Sequence, residues 1–124
     1  MRDTTIAAVV GATLLLAGGQ RAAAAPADGD MVFRQRCQAC HVIAAGKPPM
    51  VGPNLYGVVN RKAASTAFPR YSEALKTSGL TWTRANLDRY LTAPAKMVPG
   101  TKMAVALPDP AQRTAVIDYL ARAK

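Results

Sequence analysis

The stretch 33-FRQRCQACHVIAAG-46 holds both cysteines of the 124-residue chain and its single histidine within five consecutive positions, Cys37 to His41. Four chemistries compete for such a C-x-x-C-H cluster. A thioredoxin-like redox pair requires a strand ahead of the motif and a βαβ setting, and neither is in the pattern here. Structural zinc takes four protein ligands, and Cys37, Cys40 and His41 exhaust the thiols and imidazoles, so carboxylates would have to complete the set. A Cys37–Cys40 disulfide would close a very short loop, gain little from loop entropy and leave His41 unexplained. The remaining reading is c-type haem attachment, in which each thiol adds to a vinyl group as a thioether and the adjacent imidazole becomes the proximal iron ligand. Two tethers about one helical turn apart pin one edge of a planar macrocycle. The next residue is then carried under the metal.

The N-terminus sets the compartment. "MRDTT" carries an early Arg, "IAAVVGATLLLAGG" is apolar, and "QRAAAAPA" offers small-x-small cleavage points, the three-part plan of a secretory signal. Residues 6–19 give about fourteen apolar positions against the ~20 of a spanning helix, so the mature protein is expected not to span a membrane. No Cys follows the apolar run, which leaves no site for lipid attachment there. The expected organisation is a signal peptide over 1–25, cut between 24 and 27, and one haem domain over 26–124. Removing the signal takes the formal charge from +9 to +8. Strong basicity suits nucleic acid, anionic membrane or an acidic protein partner. Export to an oxidising compartment, here the periplasm, argues against nucleic acid, and no run of four or more basic residues forms a tail.

About 100 residues make one domain with a small core. "DGDMVFRQRC", from Asp28 to about Cys37, predicts a short helix with acidic residues at its start, where the macrodipole favours them. Residues 44–67 are rich in Gly, Pro, Asn and Ser and are expected to be mostly loop. "YSEALKTSG" predicts two helical turns stopped by Gly79. A third helix is expected from about Thr83 to Thr92, with Leu87, Tyr90 and Leu91 on one face and Pro94 at its end. "PAQRTAVIDYLARA" predicts the longest helix, starting at Pro110 with Val116, Ile117 and Leu120 on one side. No stretch alternates long enough for a strand. The expected fold class is therefore all-α with long connections, which a large apolar prosthetic group would hold together.

A second axial ligand decides what kind of haem protein this is, because an open iron permits ligand or peroxide chemistry and a second protein ligand favours electron transfer. There is no second His. Met31 lies too near the attachment site, Met50 and Met97 sit in expected loops, and Met103 lies in "VPGTKM" behind a Pro-Gly turn. A methionine taken blind is more often core filler than ligand.

From "GDMVFRQRCQACH" through "GPNLYGVVNRK", "YSEALKTSGLTW" and "LDRYLTAPAKMVPGTKM" to "VIDYL", the chain resembles the class I cytochromes c, close to the mitochondrial and bacterial c2-type branch. The resemblance covers the whole mature chain without insertion or deletion from Gly29 to Met103. It implies four to five helices around one covalent haem c, with the first and last crossing where Gly29 and Phe33 meet Tyr119 and Leu120. It implies Cys37 and Cys40 as thioether anchors, with His41 and Met103 as the two iron ligands. Pro53 matches the residue whose carbonyl accepts the proximal imidazole N–H. Arg61, Tyr71, Trp82 and Thr101 match positions that bond the haem propionates, and Tyr90 matches a hydroxyl beside the methionine sulfur. Three departures stand out: Val105 replaces a large aromatic, Leu75 replaces a polar residue near the propionates, and the link "AVALPDP" is one residue shorter than in the mitochondrial form.

The implied activity is single-electron transfer with no bond chemistry on a substrate, by a monomer. Its implied partners are acidic faces of membrane redox complexes, with a bc1-type donor and an oxidase or reaction-centre acceptor. Lys47, Lys96 and Lys102 are the expected steering charges. Two other classes share the motif. A periplasmic dehydrogenase could own such a domain as a dedicated cytochrome subunit, and an open-site haem peroxidase would need a distal acid or base that no second His supplies.

Overall fold

The computed structural model describes residues 18–19 and 26–124; the rest of the expected signal peptide lies outside the described residues. Five helices follow in order: α1 Gly29–Arg36, α2 Glu73–Lys76, α3 Arg84–Thr92, α4 Pro94–Met97 and α5 Pro110–Arg122. Among the described residues there is no strand, only an isolated antiparallel bridge between Lys62 and Thr81. The all-α expectation is met.

Short polar side chains set where the helices begin. Asp28, Ser72, Thr83 and Asp109 each accept a backbone N–H of the first turn of α1, α2, α3 and α5, satisfying donors that have no partner inside the helix. Two boundaries differ from expectation. The "YSEALKTSG" segment forms one helical turn, not two, because the Thr77 hydroxyl donates to the Glu73 carbonyl at 2.9 Å and the Ser78 hydroxyl to that of Leu75 at 2.7 Å. Such side-chain bonds compete with the backbone ladder, and the chain then turns at Gly79 with φ +67°. Pro94 closes α3 as expected, yet it also opens α4 at the first helical position, where its missing N–H costs nothing. Met97 therefore lies in a helix, not in the loop assigned to it from sequence.

Three helices supply the core. Val32 and Phe33 of α1, Leu87, Tyr90 and Leu91 of α3, and Val116, Ile117 and Leu120 of α5 are all buried. α1 crosses α5 at Gly29, where a Cβ would run into the Ala115 carbonyl and the Tyr119 side chain. The Phe33 and Tyr119 rings meet beside that crossing with centroids 5.5 Å apart.

The long connections are held by specific bonds. Residues 60–82 fold back on themselves through Asn60 N–H to the Trp82 carbonyl, Trp82 N–H to Arg61 and Ala63 N–H to Leu80, each at 2.8 Å. The return from Met103 to α5 is fixed by Leu107 N–H on the Leu91 carbonyl at 2.7 Å. Arg113, paired with Asp88 at 2.8 Å, donates further to the Leu107 and Pro108 carbonyls at 3.0 and 2.7 Å. Arg36, at the end of α1, reaches the Ala106 carbonyl at 2.9 Å. These ties leave a space between the helices and the loops.

Candidate cofactor site

That space is a cavity of about 410 Å³ whose floor is apolar, formed by Leu55, Val58, Leu87, Leu91, Val116 and Leu120. Its size falls within the ~300–1,000 Å³ usual for sites that hold a small organic group. Cys37 and Cys40 line one edge as free, half-buried thiols. Burial pushes the Cys37 thiol up to about 11, more than offsetting the lowering by Arg36. A thiol so protonated is unsuited to disulfide exchange, which needs thiolate. Among the described residues no group of three or more His, Cys, Asp and Glu side chains is arranged to hold a metal ion by itself.

The turn that ends α1 delivers His41 to the same wall: Cys40 and His41 N–H both donate to the Cys37 carbonyl, at 3.1 and 2.9 Å. His41 Nδ1 lies 2.8 Å from the Pro53 carbonyl. A carbonyl can only accept, so Nδ1 carries the proton and Nε2 keeps its lone pair for a metal. Burial lowers the His41 pKa, against the raising effect of the Pro53 bond, which favours the neutral, ligating form. Gly52, whose N–H donates to the Cys40 carbonyl at 2.8 Å, packs flat against the imidazole. A Cβ there would overlap the His41 ring.

Met103 reaches the cavity from the loop after α4, where Gly100 turns with φ +92°. Among the described residues it is the methionine lining the cavity, whereas Met31 and Met50 are each about half exposed, at 48% and 47%. Thr101 lines the cavity as well, and its hydroxyl meets the Tyr90 hydroxyl at 2.5 Å. Tyr90 does not itself line the cavity: its ring packs on Trp82 at 4.8 Å, and it borders the cavity through Trp82 and Thr101. Burial raises the Tyr90 pKa, opposed by the Thr101 bond.

Arg61, Tyr71 and Trp82 add polar groups to the lining. Arg61 donates to the Tyr56 carbonyl at 2.9 Å and that of Asn54 at 3.1 Å, and the Tyr71 hydroxyl pairs with Thr66 at 2.5 Å. Burial lowers the Arg61 pKa while the facing Tyr71 raises it. Pro53, Leu75 and Val105 also line the cavity, Val105 at 44% exposure near the mouth. Among the lining residues that escape a reading of the sequence as motifs are Gly52, Arg70 and Ser72. Gly52 is signalled only by its place before Pro53. Arg70 and Ser72 carry no local sign, because what brings them in is the fold-back of residues 60–82.

The lining includes four cations, Arg36, Arg61, Arg70 and Lys102, and no carboxylate. The residues present thus fit a large, flat, apolar group that carries acidic substituents and accepts two thioether bonds, which is the chemistry of haem. An all-α domain of this kind, with paired thiols and an imidazole on the wall of one apolar cavity, defines the c-type haem proteins.

The chain belongs to the cytochrome c family, whose model, "Cytochrome c", matches residues 26–124. It is 46% identical over 115 residues to cytochrome c2 of Rhodomicrobium vannielii, covering 92% of this chain and 91% of that protein. Against cytochrome c2 of Rhodoblastus acidophilus the identity is 48% over 100 residues, with 80% and 92% covered. Among solved structures, cytochrome cH from Methylobacterium extorquens superposes with a TM-score of 0.69 at 43% identity, over 76% of this chain and 94% of that one. The class is thus class I, c2-like: a monohaem electron carrier with haem c bound covalently through Cys37 and Cys40. No described helix is long and apolar enough to cross a membrane.

Proposed function

We propose that the mature chain, residues 26–124 after removal of a signal cut between 24 and 27, carries single electrons in the periplasm with His41 and Met103 as axial ligands. The observation that carries this reading is that Cys37, Cys40, His41 and Met103 line one and the same cavity. Bound there, haem supplies a reversible one-electron iron couple. The chain's own residues do the rest. Pro53 and Gly52 hold the His41 imidazole in one tautomer and one orientation. The turn at Gly100 presents Met103, and the Tyr90–Thr101 pair fixes the residue two places ahead of it. Arg61, Tyr71, Trp82 and Thr101 offer donors to the haem carboxylates. Apolar side chains from α3 and α5 exclude water, which disfavours the extra charge of the oxidised form and, with a thioether ligand, places the potential on the positive side.

Filling both axial positions leaves no place for an exogenous ligand or for bond chemistry on a substrate. Ferrous protein at neutral pH is therefore expected to show the same visible spectrum with and without carbon monoxide. Tight carbon monoxide binding would overturn the two-ligand reading and revive an open-site haem enzyme.

The partners follow from charge. Lys47, Lys96 and Lys102 are exposed, and Lys102 lies on the cavity rim. A cationic face around the tethered edge steers an acidic membrane oxidoreductase, a bc1-type donor or an oxidase or reaction-centre acceptor, into a short-lived complex. Raising ionic strength from ~10 to ~150 mM shortens the Debye length from about 30 to about 8 Å. Electron-transfer rates with such membranes are expected to fall at least about tenfold over that range. A flat salt response in stopped-flow kinetics would assign the lysines to simple solvation.

A further inference from the structure

Three loops form the mouth of the cavity, and one residue of the second, Arg70, is bonded to both of the others, through its guanidinium to the first and its backbone carbonyl to the third. The first, residues 41–56, carries Gly52 and Pro53 behind His41. The second, residues 61–72, carries Arg61 and Tyr71, and the third, residues 98–109, carries Met103. Arg70 Nη2 donates to the Met50 carbonyl of the first loop at 2.5 Å. The Arg70 carbonyl, in the second, accepts from Lys102 Nζ of the third at 3.2 Å. Its guanidinium stands over the Phe68 ring, 5.1 Å from the centroid. Phe68 is buried and edge-on to buried Tyr71 at 5.0 Å, so the guanidinium rests on a fixed base. Among the described residues, no other hydrogen bond joins Lys102 or Met103 to residues 61–72.

We infer that Arg70 is a positioning residue for the Met103 ligand: it ties the loop behind His41 to the loop that carries Met103 and holds the two closed across the cavity mouth. The inference rests on the reading of Met103 as an axial ligand. Both hydrogen bonds are exposed and each is individually weak. Loop opening is nevertheless a low-energy local event, so the equilibrium between closed and open responds directly to them.

Imidazole titration of the ferric holoprotein at pH 7 reads that equilibrium, because the small ligand takes the position that Met103 leaves and its apparent affinity scales with the open fraction. Arg70→Ala is expected to tighten apparent imidazole binding about fivefold, and Lys102→Met by a comparable factor. Because the two bonds form one bridge through Arg70, beside the Arg61 bonds to the Tyr56 and Asn54 carbonyls that also join the first two loops, the double variant should exceed the larger single effect by little. Arg34→Ala, which breaks the exposed α1 pair with Asp30, should leave the affinity unchanged. Parent-like affinity in Arg70→Ala, or in Lys102→Met should the first variant fail to hold haem, overturns the inference. So does strict additivity in the double variant. Met103→Ala separates the underlying reading: if it binds imidazole no more tightly than the parent, Met103 is not the ligand and the ligation itself fails.

Discussion

The Cys37→Ala/Cys40→Ala double variant is expected to lose its tertiary structure together with its covalent haem. The reason is volumetric. The helices that form the core, α1, α3 and α5, enclose a cavity of about 410 Å³, and an unfilled apolar cavity costs about 24 cal/mol per Å³. The product, about 10 kcal/mol, is an upper bound because the mouth admits water, yet it matches the whole stability of a typical domain, about 5–15 kcal/mol. Buried side chains of this small protein face the cavity from several sides, including Trp82, Leu87, Leu91, Val116 and Leu120. Far-UV circular dichroism of the double variant should show most of the helix signal gone and no cooperative thermal transition. A parent-like cooperative melt in the haem-free double variant would mean that the polypeptide alone defines the fold. The parent's colour should stay with the polypeptide in acidified organic solvent, since thioether bonds survive that treatment.

Met103→His is expected to lower the midpoint potential by on the order of 100–300 mV, a fraction of the ~0.8 V that axial ligands span. Thioether sulfur favours the reduced metal, whereas imidazole nitrogen donates more strongly to the oxidised one. The position is half-buried in a loop whose approach is set by the turn at Gly100 and by the Leu107–Leu91 and Arg113 bonds behind it, so the new side chain would be delivered to the same wall. Redox titration of both proteins settles the matter. Coincident potentials would remove Met103 from the ligand set and leave one of the other methionines, or no protein group, in that place.

Much of this was legible in 99 or so residues because local chemistry repeats itself in local geometry. The C-x-x-C-H cluster acts through one turn of backbone, so its spacing alone carries thiols and imidazole to one edge. Helix starts were legible for the same reason: Asp28 and Thr83 cap the helices expected to begin at them, and Pro110 opens the last at its first helical position. Where local signals competed, the sequence misled. Thr77 and Ser78 turned their hydroxyls onto carbonyls and cut α2 to one turn, and Pro94 both ended one helix and began the next.

The amino-acid order by itself thus determined the all-α class, the attachment motif and the family, since each rests on residues a few positions apart or on a linear pattern. Only the tertiary structure placed Met103 on the cavity wall, set Tyr90 behind Thr101, and showed that Gly52, Arg70 and Ser72 belong to that wall. Those relations join residues tens of positions apart through loops without regular secondary structure. No periodicity records such a loop's path, which is fixed by isolated hydrogen bonds and by the volume the helices leave between them.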